Sequence, residues 1–179
     1  MIKSVKTENL IPLDESSVNL AFTRLYGRAM TFERVKEGVV DVRFERKSIL
    51  STMRLSGEMC PMIFEGTLNQ YLFAEYIKEV LKPTLLPDDV ILLDNSSVHR
   101  SKLVLNTLAE CNIKYIFLPP YSSDFDPIEL LWSFMKSILR KLKARTHDKL
   151  AEAVNIALDS VNSDFIANWF KHCGYIANV

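Results

Sequence analysis

Val90-Ile91-Leu92-Leu93-Asp94-Asn95-Ser96-Ser97-Val98-His99 is an apolar run that ends on an acid and a turn. Four consecutive aliphatic residues fit a short strand buried on both faces, as strands between two helix layers are. Asp94 then stands at the end of that strand. Downstream, residues 98–111 carry Leu103, Val104, Leu108 and Cys111 at helical spacing. Tyr115 to Leu118 reads as a second buried strand, stopped by Pro119-Pro120. After it comes Tyr121-Ser122-Ser123-Asp124-Phe125-Asp126-Pro127-Ile128-Glu129, just before Trp132, and 34 residues separate Asp94 from Glu129. An acid at a strand end and an acid at a helix start behind a Pro-rich loop are the parts of a divalent-metal phosphodiester site.

The remaining chain supplies a frame for these parts. Leu10-Ile11-Pro12-Leu13-Asp14 reads as a first strand, with Pro12 an awkward member because it has no N–H for a ladder. Residues 22–45 read as irregular or hairpin-like. Residues 48–55 and 59–64 read as two strands around the turn at Ser56-Gly57-Glu58. Leu72, Phe73, Tyr76, Ile77 and Val80 predict a helix over 68–82, stopped by Pro83. Residues 127–143 predict a strongly amphipathic helix, and 147–171 a last helical segment. Early strands followed by alternating helix–strand units predict an α/β fold, a mixed sheet with helices on its faces.

A chain of 179 residues can form one domain with a real core. Its 48% hydrophobic and 25% charged content is ordinary for a globular protein. No apolar run approaches the length of a bilayer span, so no membrane partner is expected. The N-terminal residues also lack the apolar core of a signal peptide. Cys60, Cys111 and Cys173 form no CxxC pair and no zinc spacing with His99, His147 or His172. Free thiols in a reducing, cytoplasmic compartment are expected. Lys and Arg total 22, as do Asp and Glu, so the net charge of zero shows no basic excess of the kind nucleic-acid binders carry. A local basic stripe is still compatible with that sum.

Each acid also has a structural reading. Asp94-Asn95 could be a strand-terminating turn, and Asp14-Glu15-Ser16-Ser17 a surface turn. Asp126, Pro127, Ile128 and Glu129 fit N-cap, N1, N2 and N3 of a helix, a capping box with Pro at its favoured position. A cap of this kind contributes ~1 kcal/mol without any metal. The two readings of Glu129 are compatible, because a helix N-terminus favours a carboxylate in either role. In the functional reading, Asp14, Asp94 and Glu129 are the hard oxygen ligands that Mg²⁺ prefers. Two such ions about 4 Å apart activate an attacking oxygen and stabilise the leaving one.

Along the helix from Glu129, Ser133, Lys136, Arg140 and Lys143 fall on one face. Ile128, Leu131, Trp132, Met135, Leu139 and Leu142 fall on or near the other. The basic positions are candidates for phosphate contacts, or simply a solvated face. His99 and Arg100, just beyond Asp94, are further candidates at DNA. His99 could instead face a neighbouring acid or serve as a helix-start residue. His147 and His172 read as incidental, and Trp132 and Trp169 as core.

The series Asp94-Asn95…His99, Leu118-Pro119-Pro120-Tyr121-Ser122 and Asp126-Pro127-Ile128-Glu129…Trp132 resembles the signature of mariner-superfamily DDE transposases. It is especially similar to the bacterial insertion-sequence branch, with its 34-residue spacing. Leu13-Asp14-Glu15-Ser16, Tyr26-Gly27-Arg28-Ala29 and Phe64-Glu65-Gly66-Thr67-Leu68-Asn69 also look familial, so the resemblance covers nearly the whole chain. Two positions depart from it: Asp126 stands where the family usually has Asn, and Ser123 where it often has Pro. The first places an extra negative charge near the site, which could alter metal affinity or make Asp126 a stray ligand. The second loosens the loop.

The resemblance implies a ribonuclease-H-like mixed five-stranded sheet flanked by helices, with an extra C-terminal helix. In that fold the first and fourth strands are parallel neighbours, which would set Asp14 beside Asp94. It implies a catalytic and metal-binding triad of Asp14, Asp94 and Glu129 holding two Mg²⁺ or Mn²⁺ ions. It further implies cleavage at transposon ends and joining of the freed 3′-hydroxyl to target DNA, by a homodimer at TA sites, with nucleoid association if the host is bacterial. Residues 1–179 then form one catalytic domain. With the first acid at Asp14, the family's helix-turn-helix recognition region is expected to lie outside this chain, whether through truncation or a split gene. Two rivals remain: a ribonuclease-H-like nuclease without strand transfer, and a non-catalytic remnant that only binds nucleic acid or protein.

Overall fold

Strand β1 (Leu10–Asn19) lies at the centre of a five-stranded sheet in the computed structural model, which describes residues 5–36, 38 and 46–175. The sheet order is β3-β2-β1-β4-β5. β2 (Arg46–Thr52) and β3 (Met62–Glu65) run antiparallel, whereas β4 (Val90–Leu93) and β5 (Lys114–Phe117) run parallel to β1 and to each other. The sheet is therefore mixed, as the order of elements predicts.

Helices cover both faces. On one side, α1 (Gln70–Tyr76) and α2 (Lys102–Glu110) pack Phe73, Tyr76, Val104 and Leu108 against Ile11, Leu13, Leu50, Ile91 and Leu93. On the other, α3 (Pro127–Leu142), α4 (His147–Asp159) and α5 (Ser163–His172) bring Leu131, Trp132, Val154 and Phe170 against Val18 and Ile49. This double cover explains why Val90 to Leu93 is apolar without alternation: Ile91 and Leu93 face α1 and α2, and Leu92 faces the opposite layer with Leu10 and Leu118.

Several boundaries differ from expectation for physical reasons. β1 continues past Asp14 to Asn19, because residues 13–19 pair with β2. Pro12 is tolerated at the centre of the sheet. Its carbonyl accepts from Met53 N–H at 3.1 Å, so its nitrogen faces that same side, where the β2 ladder has already ended at Leu13↔Thr52. The helix expected over 68–82 starts at Gln70, where the Asn69 side chain accepts from Tyr71 and Leu72 N–H. It then widens to a π turn (Ile77–Leu81) and tightens to a 3-10 turn (Lys82–Thr84) around Pro83.

The helix expected from residue 98 starts at Lys102, behind the cap Ser101, which leaves His99 in the preceding turn. The segment expected as one helix over 147–171 is two. α4 ends at Asp159, and the Asn162 side chain accepts from Phe165 N–H at 2.8 Å to open α5. Two helices rather than one therefore follow α3. The stretch 22–45 is irregular through residue 36, while residues 37 and 39–45, like 1–4 and 176–179, lie outside the described residues.

A buried ion pair gives the sheet a fixed edge. Beyond β2, Arg54 Nη1 donates to Asp89 Oδ1 at 3.0 Å, and Nη2 to Asp89 Oδ2 and to the Thr84 carbonyl. Both residues are buried, at the end of β4 opposite Asp94.

Candidate active site

β1 and β4 pair in parallel through Leu13↔Leu93, so the next residue on each chain, Asp14 and Asp94, emerges at the same sheet edge. Alternation directs Asp14 away from Leu13, towards α3, and its Oδ2 accepts a hydrogen bond from Trp132 Nε1 at 3.1 Å. Asp94 Oδ1 accepts from Ser96 N–H at 2.9 Å and pairs with His99 Nδ1 at 2.5 Å. Glu129 enters from the first turn of α3, where it is exposed. All three acids line one open cleft of about 640 Å³, with Asp126, Arg100 and Tyr121 among its other walls.

The helix start separates the two readings of Glu129. Asp126 caps α3 by accepting from Ile128 N–H at 3.3 Å. Its own N–H donates to the Ser123 carbonyl at 2.9 Å, so that donor does not need the Glu129 carboxylate. The cap is real and the reciprocal half of the box is not. Glu129 is left facing the cleft.

The electrostatics are those of crowded acids. Burial pushes the Asp14 carboxyl up to about 7, with repulsion from Glu129 and Asp94 added and a backbone hydrogen bond from Glu15 opposing. Burial likewise raises Asp126 well above the usual carboxylate range, with Asp14 the largest repelling charge. Burial also acts against ionised Asp94, but the hydrogen bonds from His99 and Ser96 outweigh it and hold its carboxyl below the usual range.

The donor set fits hard divalent ions in kind: the carboxylate oxygens of three acids crowded at one cleft. Among the described residues, no group of three or more His, Cys, Asp and Glu side chains converges into a ready-made cage. Mg²⁺ sites characteristically use one or two carboxylates, waters and substrate phosphates rather than an all-protein cage.

The residues expected at DNA separate in space. Arg100 lines the cleft, with its guanidinium 4.7 Å from the centre of the Phe117 ring. His99 is only 1% exposed and sits against Phe73, so it faces Asp94 and not a passing strand. Lys136, Arg140 and Lys143 lie outside the cleft lining. Arg140 stacks over Phe22 and, with Arg24 and Lys141, borders a separate hollow of about 370 Å³. Lys143 leaves the helical stripe because it caps α3 in the left-handed region at φ 52°. Trp132 is core, as expected, and is also the donor to Asp14. The available signal was the indole N–H, which needs a partner when buried.

Residues 9–151 match the family model described as "DDE superfamily endonuclease". No curated protein matches the chain. Among solved structures, a pre-cleavage Mos1 transpososome superposes with a TM-score of 0.75 at 14% identity, covering 93% of this chain and 52% of that one. The Mos1 mariner paired-end complex with Mn gives 0.73 at 15%, covering 93% and 52%. The catalytic domain of Mos1 mariner transposase gives 0.68 at 14%, covering 93% and 76%. The fold is thus the ribonuclease-H-like one of that catalytic domain, and the chain spans about half the length of the longer Mos1 chains.

Proposed function

The chain belongs to the DDE superfamily of endonucleases, and from that premise we propose that it is the catalytic domain of a mariner-type transposase that cuts DNA and joins the cut end to a target. The observation that carries this reading is the meeting of Asp14, Asp94 and Glu129 at one cleft from three separate elements. Asp14, Asp94 and Glu129 would hold Mg²⁺ or Mn²⁺. Two such ions supply an activated attacking oxygen and charge stabilisation of the leaving one. The mariner complex solved with Mn supports this choice of ion.

The chain's own residues position the reactants. Asp94 stays ionised because His99 and Ser96 hold it so. Arg100, at the cleft wall, is placed to take a backbone phosphate. A water as attacking group gives hydrolysis, and a DNA 3′-hydroxyl in the same place gives joining. The same site serves both stages, and no covalent enzyme intermediate is required. Recognition of transposon ends is assigned to a helix-turn-helix region outside residues 9–151, and the active unit to a homodimer.

The test is a pre-cut duplex with a free 3′-hydroxyl, incubated with plasmid target and Mn²⁺, using wild type and Asp94→Asn. Joined products from wild type alone are expected. Hydrolysis without joining would favour a ribonuclease-H-like nuclease, and activity that survives Asp94→Asn would refute the assignment. Calorimetric titration of Mn²⁺ into the same two proteins reports on the site independently of end recognition. Binding is expected for wild type only.

A further inference from the structure

Asp14 and Asp94 are each gripped by one buried ring N–H, and the two rings come from opposite helix layers. Trp132 belongs to the layer of α3, α4 and α5, where it is 1% exposed, and its Nε1 reaches Asp14 Oδ2. His99 packs on Phe73 of α1, ring centroids 4.8 Å apart, and its Nδ1 reaches Asp94 Oδ1. Asp94, when ionised, is acceptor-only, so Nδ1 carries the proton in that contact. Among the described residues, His99 Nε2 is buried and meets no hydrogen-bond partner. A ring kept only for packing would not leave a polar atom stranded while its other nitrogen lies against a site carboxylate, because a buried unpaired nitrogen costs about 1–3 kcal/mol.

We propose that His99 and Trp132 are the positioning residues of the site, each fixing one aspartate's rotamer by holding a single carboxylate oxygen. This rests on the metal-binding reading given above. The chemistry is that of an outer shell. A donor on one oxygen leaves the carboxylate plane at a set angle, and losing such a partner commonly lowers metal affinity 10–100-fold. The two layers then act like jaws. β1 and β4 set the spacing of the acids, and the rings on either side set their rotation.

The experiment is Mn²⁺ titration by calorimetry, with electron paramagnetic resonance of the bound ion, on wild type, Trp132→Phe, His99→Phe and His99→Asn. Thermal unfolding identifies which variants are folded. Asn places an N–H close to where Nδ1 stood, whereas Phe keeps the ring contact with Phe73 and removes the donor. We expect Mn²⁺ to bind at least about 10-fold more weakly to His99→Phe and Trp132→Phe. A changed spectrum and substantial recovery in His99→Asn are also expected. Folded Phe variants with unchanged affinity and spectrum, or His99→Asn no better than His99→Phe, would overturn positioning while leaving the metal reading intact. Wild type that binds no Mn²⁺, alone or with DNA, would overturn both.

Discussion

The Tyr175 hydroxyl donates to the Phe125 carbonyl at 2.6 Å, tying the end of the chain's last described helix to the turn that launches α3. Tyr175 is itself held, because its carbonyl accepts from Thr7 Oγ1 at 2.6 Å and its ring meets Phe170. The turn it braces leads directly into Asp126 and Glu129. Tyr175→Phe should therefore cost about 1 kcal/mol and speed hydrogen exchange at the Asp126 and Ile128 amides. Exchange unchanged at both would show that the tie does not steady the turn.

Glu129→Gln separates catalysis from capping. The Asp126 N–H is satisfied by Ser123, so the substitution should move stability by no more than ~0.5 kcal/mol. Mn²⁺ affinity and DNA cleavage should both fall steeply. Thermal unfolding beside calorimetry checks this. A large drop in melting temperature would mean that the carboxylate is chiefly a cap.

Asp126→Asn tests the buried extra acid. Asp and Asn are comparable caps, so α3 should start normally. In wild type the folded-state carboxyl lies above its unfolded value, so the native state binds the proton more tightly. Its contribution is therefore full below the ordinary carboxyl value of 3.8 and is lost as pH rises from there towards the folded value. Without metal, Asp126→Asn should match wild type near pH 4 and exceed it at pH 7 by urea unfolding. A variant less stable than wild type at pH 7 would reverse the sign and refute the account.

Asp89→Ala would strand Arg54 in the interior. Removing one partner of a buried pair typically costs about 3–5 kcal/mol, while an apolar pair, Arg54→Met with Asp89→Leu, should recover much of that loss. Asp89 immediately precedes β4 and Asp94 immediately follows it, so the double variant should bind Mn²⁺ like wild type. Additive losses in the double-mutant cycle would show that the two charges do not interact.

The sequence alone determined the sheet and its two helix layers. Period and length in Val90–Leu93 and Pro127–Leu142 report burial directly, whereas β5, read as a buried strand, lies at the sheet edge with Lys114 and Tyr115 exposed. Stop signals such as Pro83 and Pro119-Pro120 are local chemistry. The acid spacing and the Asp126-Pro127-Ile128-Glu129 helix start were legible for the same reason. The split between α4 and α5 was harder to read, because apolar period continues across a break made by one capping Asn162.

What only the tertiary structure decided are relations between positions far apart in the chain. It set Asp14 on Trp132, 118 positions away, and Arg54 on Asp89, 35 away. It also turned His99 inward to Phe73 and Asp94, and freed Glu129 from its capping box. A side chain's hydrogen-bond partner is chosen by packing once the sheet register brings strands together, and no local pattern encodes which distant donor will meet a given carboxylate.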